Sequence, residues 1–283
     1  MQIKVGKYSG FCGGVKRSVL NAEESLNNSD VVYCYGELVH NKQVINSLTA
    51  KGLKVIEDIN EAEDGSKVIF RAHGVEKKIY EIAEKKNLNI VDLTCPNVLK
   101  IHEKAKKLVE DGYFIILIAQ VSHPETIGTI SFCGDNCFIL ENSDMILDLE
   151  NKIKESKCKR IAVITQTTIS VDRYNELIDI IKEKFSLYEL NIDNNICDAT
   201  NLRQQEMKEL SKEVDAVIVI GGKNSSNTKK LYDIGVRNCS KCFLIETVDD
   251  LTDDIFKYER IGIMGGASTP RSSVDEVMSR LNK

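Results

Sequence analysis

Residues Tyr113 to Thr126 read YFIILIAQVSHPET, seven apolar residues in a row followed at once by a polar turn that carries a histidine, a proline and a glutamate. A short run that is continuously apolar, rather than alternating, suits a strand buried on both faces in a parallel sheet. The same grammar recurs along the chain. Val68 to Phe70, Ile161 to Ile164, Ala216 to Ile220 and Ile261 to Met264 are each followed by a polar turn and then an amphipathic stretch. Strand then helix, repeated, predicts an α/β protein with parallel sheets.

Local signals place the helices between these runs. Pro96 and Pro270 sit where first-turn prolines would, each behind a Cys or Thr able to cap. Gly112 and Gly235 are placed to stop helices. Lys100, Lys104 and Lys107 give one helix a solvated face, and His102, lying among them, is expected at the surface.

Composition narrows the function. The chain is 42% hydrophobic and 29% charged, a globular balance that excludes a disordered tail as the main theme. Its net charge is -5, with Lys and Arg scattered among acids, so nucleic acid is not an expected partner. The run from Tyr113 to Ala119 falls far short of the ~18 residues a membrane span needs. The opening MQIKVGKYSGFCGG lacks the apolar core of a secretory signal. A soluble cytoplasmic protein with no membrane partner is expected. Nine cysteines, an odd number in such a chain, argue against a disulfide framework and leave metal binding as a use for some of them.

Three of the nine share a setting: SGFCGGV at Cys12, DLTCPNV at Cys95 and NICDAT at Cys197, each directly after a predicted strand and before a helix. Cys12 to His40, Cys95 to His123 and Cys197 to Ser225 are all steps of 28 residues. A further polar turn follows in each case, at His73, at Thr167 with Thr168, and at Ser268. The equal steps predict three similar βα-rich domains, 13–95, 96–194 and 195–283, with 1–12 as an N-terminal strand and cysteine turn. Ligands of parallel sheets bind beyond the carboxyl ends of the strands. A pseudo-threefold arrangement would therefore deliver nine polar turns to one cleft.

Three thiolates make a metal site with one open coordination position, and both zinc and a 4Fe-4S cluster fit that donor set. The remaining turns, HNK at His40, RAHG at His73, SHPE at His123, KNSSN ending at Asn227 and GGAST ending at Thr269, are rich in neutral donors and helix starts, which suit phosphate oxygens. Glu125, two residues after His123, is the candidate acid, and Thr167 lies in the QTT turn of the same repeat. Plainer roles fall to the other cysteines. Cys34 reads as core, Cys133, Cys137 and Cys158 as structural, and Cys239 with Cys242 forms a lone C-x-x-C that has no second pair.

The segments GFCGGVKR, VHN, RAHGV, TCPNV, HPE, TQTTIS, ICDATNLRQ, GGKNSSNT and GGASTP resemble the 4-hydroxy-3-methylbut-2-enyl diphosphate reductase family, over nearly the whole chain. The resemblance implies three α/β lobes around a central 4Fe-4S cluster held by Cys12, Cys95 and Cys197, with one iron left open. It implies a diphosphate held by His40, His73, His123, Ser225, Ser226, Asn227 and Ser268. Glu125 would pass protons, and Thr167 would orient both Glu125 and the substrate hydroxyl. The implied reaction is the two-electron reductive dehydroxylation of an allylic diphosphate, with loss of water, to isopentenyl and dimethylallyl diphosphates. Ferredoxin or flavodoxin would be the electron donor. Two other readings of the same residues are a zinc hydrolase of a phosphorylated substrate, with Glu125 as base, and a non-catalytic iron–sulfur sensor.

Overall fold

A computed structural model of the chain describes residues 1–27 and 31–282. Twelve strands form three four-stranded sheets, and every strand pairing among the described residues is parallel. One sheet holds β2 (Val32–Tyr35), β3 (Leu53–Ile56), β4 (Lys67–Phe70) and β5 (Asn89–Asp92), in the order β3-β2-β4-β5. A second holds β6 (Phe114–Ile118), β7 (Cys137–Leu140), β8 (Arg160–Thr165) and β9 (Glu189–Ile192), ordered β7-β6-β8-β9. The third joins the chain's first strand, β1 (Gln2–Val5), to β10 (Ala216–Ile220), β11 (Cys242–Ile245) and β12 (Arg260–Gly265). Its order β11-β10-β12-β1 repeats that of the other two sheets, with β1 standing in the fourth place.

The central strands explain their own composition. Successive side chains of a strand point to opposite faces. Phe114, Ile116 and Ile118 of β6 enter one core with Leu177, Ile178 and Ile181 of α7 (Val171–Lys184). Ile115 and Leu117 enter another with Ile101, Ala105 and Leu108 of α4 (Pro96–Glu110). Likewise Ile218 and Ile220 of β10 face Val274 and Val277 of α10 (Arg271–Leu281), while Val217 and Val219 face Met207 and Leu210 of α8 (Asp198–Glu213). A strand covered on both faces has no position for a polar residue. Each side chain so buried stabilises the fold by roughly 1.5–3 kcal/mol over an exposed one.

The chain forms two compact units. Met1–Glu23, Val39–Lys51 and Asp198–Lys283 make the first, which contains the β11-β10-β12-β1 sheet. Glu24–Leu38 and Gly52–Cys197 make the second, which contains the other two. The segment Val39–Lys51, with α2 (Lys42–Ala50), thus belongs to the first unit although the strands on either side of it belong to the second.

Three local expectations are corrected. Gly112 does end a helix, with φ +80 just after α4, but Gly235 lies inside α9 (Ser226–Asn238). A Cβ on Gly235 would come within 2.6 Å of both Cys242 Sγ and Met207 Cε, so it is a packing glycine. Pro270 occupies the N-cap position of α10 rather than its first turn. His102 is buried, not exposed, because its side of α4 faces inward and its ring stacks on Phe132 at 4.7 Å between centroids.

Candidate functional site

All nine polar turns follow the carboxyl end of a parallel strand. The strand second in each sheet leads to His40 (β2), His123 (β6) or Ser225 (β10). The third leads to His73 (β4), Thr167 (β8) or Ser268 (β12). The fourth leads to Cys95 (β5), Cys197 (β9) or Cys12 (β1).

One backbone hydrogen bond repeats with this pattern. The Cys95 N–H donates to the Ala72 carbonyl at 2.9 Å, that of Cys197 to Thr167 at 3.1 Å and that of Cys12 to Ala267 at 3.0 Å. Each cysteine turn is therefore fastened to the turn of its neighbouring strand. Each cysteine also immediately precedes a helix: α4, α8 and α1 (Gly13–Asn27) respectively. The start of a helix favours negative charge, a setting suited to thiolate ligands. None of the three is in a disulfide, and all are partly exposed.

In the second unit, His123 caps α5 (Pro124–Ile130) by accepting the Glu125 N–H at Nδ1, 3.2 Å away. In its neutral form the imidazole proton then sits on Nε2, which makes that nitrogen the donor. The His73 and His123 rings meet edge to face, with centroids 5.5 Å apart. Glu125 is 3% exposed. Its Oε1 accepts the Thr167 N–H at 2.6 Å and its Oε2 accepts the Thr167 hydroxyl at 2.7 Å. Burial pushes the Glu125 carboxyl up to about 7, against the two Thr167 hydrogen bonds that pull it down. An acid poised near neutrality can both hold and give a proton.

In the first unit, Ser225 caps α9, its Oγ accepting the Thr228 N–H at 3.3 Å. Ser226 and Asn227 fill the first turn of that helix and are buried. Neither amide atom of Asn227 has a hydrogen-bond partner among the described residues. A buried amide left unsatisfied costs about 1–3 kcal/mol, so it is a group waiting for a polar ligand. The Ser268 hydroxyl donates to the His40 carbonyl at 3.1 Å. Glycines permit this crowding: a Cβ on Gly222 would collide with the His40 carbonyl oxygen, and one on Gly221, at φ +154, would lie 2.6 Å from Thr228 Oγ1.

Each expected residue thus has a defined place. The first unit gathers His40, Ser225, Ser226, Asn227 and Ser268 near the turn of Cys12, whereas the second carries Cys95, Cys197, His73, His123, Glu125 and Thr167. Gln166 was not singled out by the sequence reading. Its Oε1 accepts the Gln120 N–H at 3.0 Å and its Nε2 donates to Thr168 Oγ1 at 2.9 Å, so it braces the HPE turn against the QTT turn. Its place directly before the threonine pair was the available signal. The remaining cysteines pack. Cys34 is fully buried, and burial pushes its thiol up to about 12. Cys239 and Cys242 lie in the apolar cluster under α8 and α9, and Cys242 is likewise pushed up to about 12.

The LytB protein family model matches residues 3–282. The chain is 37% identical over 286 residues to the 4-hydroxy-3-methylbut-2-enyl diphosphate reductase of Thermoanaerobacter sp. (strain X514), covering 99% of this chain and 96% of that one. It is 39% identical over 283 residues to the reductase of the same name from Clostridioides difficile (strain 630), covering 99% of each. Among solved structures, the E-1-hydroxy-2-methyl-but-2-enyl-4-diphosphate reductase from Plasmodium falciparum superposes with a TM-score of 0.91 at 33% identity, covering 100% of this chain and 88% of that one. The chain belongs to the LytB protein family.

Proposed function

We infer that the protein is a 4-hydroxy-3-methylbut-2-enyl diphosphate reductase, an iron–sulfur enzyme of the non-mevalonate route to isoprenoids. The observation that carries the reading is the buried Glu125 carboxyl, held through both oxygens by Thr167, whose carbonyl in turn accepts the N–H of Cys197. A proton donor is thereby fastened to a cysteine turn, which is what reductive loss of a hydroxyl requires.

The residues fit the group this chemistry needs. Cys12, Cys95 and Cys197 are outside any disulfide and stand at equivalent helix starts, and as the ligands of one 4Fe-4S cluster they would leave one iron without a protein thiolate. When bound, the cluster supplies the electrons, delivered one at a time by a ferredoxin or flavodoxin. His40, His73, His123, Ser225, Ser226, Asn227 and Ser268 hold the diphosphate, and the unsatisfied Asn227 amide supports that role. Thr167 orients Glu125 and the substrate hydroxyl.

The balance is two electrons and two protons per turnover. Glu125 gives one proton to the hydroxyl oxygen, so that the carbon–oxygen bond breaks with water as leaving group. The second proton goes to one or other end of the allylic fragment, giving isopentenyl or dimethylallyl diphosphate. The repeats 13–95, 96–194 and 195–283 are read as the three lobes of this enzyme, one sheet to each, with 1–12 as the strand and ligand turn that completes the third sheet; they are repeats of sequence and sheet order, whereas the two compact units cut across them. No described helix is long and apolar enough to cross a membrane, and the cytoplasm, where the reduced carriers are found, is its place of work.

The test is anaerobic turnover of 4-hydroxy-3-methylbut-2-enyl diphosphate by reconstituted protein with a reduced artificial donor. Formation of both five-carbon diphosphates, lost on Cys197→Ser, is expected. A protein that releases only inorganic phosphate or diphosphate from the substrate would be a hydrolase and would overturn the reading.

A further inference from the structure

The turn that carries Cys12 is gripped by one helix at three points, all within the first unit. On α8, which follows Cys197 in the chain, Glu206 accepts the Lys7 N–H at Oε1 (2.5 Å) and the Tyr8 N–H at Oε2 (2.9 Å). One turn earlier on the same helix, Arg203 donates from Nη2 to the Gly10 carbonyl at 2.8 Å. Gly10 stands two residues before Cys12 with φ +115, a left-handed conformation that a residue with a Cβ resists. Arg203 is 4% exposed, and its Nη1 donates to the Ala199 carbonyl at 2.9 Å. A guanidinium fixed by both ends of its fork cannot swing away.

We propose that Arg203 and Glu206 clamp the Cys12 turn, and that the buried Arg203 charge sets the reduction potential of the cluster held there. The inference rests on the function proposed above, since it needs a cluster at Cys12. Reduction adds one negative charge to the cluster. A fixed positive charge near a ligand turn, screened by little water, stabilises that reduced state more than the oxidised one. Glu206 takes the complementary part: its two oxygens hold consecutive N–H groups of the turn, so the loop keeps its shape whether or not it is loaded. Arg203 is a positioning residue in this account, acting on the cluster through charge and through the Gly10 carbonyl.

The experiment is an anaerobic redox titration, followed by absorbance and electron paramagnetic resonance, of the reconstituted wild type, Arg203→Gln, Arg203→Lys and Glu206→Gln, with iron release to a chelator timed on the same samples. Arg203→Gln is expected to shift the one-electron reduction equilibrium about tenfold toward the oxidised cluster, equivalent to 59 mV for n = 1. Arg203→Lys, which keeps the charge and loses the fork, should restore most of that shift while releasing iron faster than the wild type. Glu206→Gln should not lower the potential but should also release iron faster. A wild-type potential in Arg203→Gln, or one in Arg203→Lys as low as in Arg203→Gln, overturns the charge assignment. If Arg203→Gln does not fold, iron release from Arg203→Lys and Glu206→Gln no faster than from the wild type overturns the clamp. A wild type that takes up no cluster overturns the proposed function and this inference with it.

Discussion

Thr167 donates both its backbone N–H and its hydroxyl to Glu125, one to each carboxylate oxygen, at 2.6 and 2.7 Å. The carboxyl therefore has a single orientation, and its protonation state reflects burial opposed by two donors. Removing the acid should cost catalysis without removing the fold. Glu125→Gln is expected to lower kcat by about 10²–10⁴-fold, the usual worth of a positioned proton donor, while iron and sulfide content stay at wild-type levels. A variant that turns over normally would move the proton donor elsewhere.

The same residue predicts a pH profile. With its carboxyl pushed up to about 7, Glu125 is protonated below neutrality, so kcat should fall as pH rises past about 7. The Thr167 hydrogen bonds pull that value down, so Thr167→Val, which removes the hydroxyl donor, should move the falling limb to higher pH. Kinetics across pH 5.5 to 9 would test this, and a limb that stays put or moves down would contradict it.

Stability should carry two opposed pH terms. The native state holds a proton on Glu125 that the unfolded chain has released, so this group makes stability fall as pH rises from about 4.5 to about 7. His102 acts the other way: burial lowers it from 6.5 to about 4, so its contribution is present at neutral pH and is lost as pH falls through that window. Denaturant titrations of the apoprotein should show Glu125→Gln gaining relative to the wild type as pH rises from about 4.5 to about 7. A difference that does not vary with pH would refute the assignment.

Asn227 should trade stability for binding. Both its amide atoms are buried without partners among the described residues, so Asn227→Ala removes a cost of about 1–3 kcal/mol from the apoprotein. The same change removes hydrogen bonds to a charged ligand, worth about 1.5–3 kcal/mol, which is roughly 10- to 100-fold in affinity. Thermal melting of the apoprotein together with the KM for the diphosphate substrate tests both halves. An unchanged KM would remove Asn227 from the diphosphate site.

Much of this arrangement was legible in the sequence for physical reasons. Strands β6, β8, β10 and β12 are buried on both faces, so they show as unbroken apolar runs. Edge strands such as β5 and β9 bury less and mix polar residues with apolar ones, and they leave no comparable mark. The pairing of β1 with β12 joins opposite ends of the chain and depends on contacts that no local pattern records. His102 shows the limit of reading a helix by composition: its lysine neighbours point outward while it turns inward onto Phe132. The placement of the nine polar turns after strand ends was legible through their repetition. The bracing by Gln166 and the fit of Gly222 against His40 were not, because each depends on a partner distant in sequence.

That fit gives a further test. A methyl group on Gly222 would strike the His40 carbonyl oxygen, the same atom that Ser268 donates to, so Gly222→Ala should displace the His40 turn. A misplacement of about 1 Å at a positioned group can cost on the order of 10²-fold. The expected result is a raised KM with the cluster retained, read from steady-state kinetics and iron content. Wild-type kinetics would mean that His40 does not hold the diphosphate.

The most direct test of the central claim is the iron, acid-labile sulfide and zinc content of the anaerobically reconstituted protein and of its Cys12→Ser, Cys95→Ser and Cys197→Ser variants. Roughly four irons and four sulfides per chain are predicted for the wild type, with a marked loss in every one of the three variants. Zinc without sulfide, or a cluster that survives all three substitutions, would contradict the account.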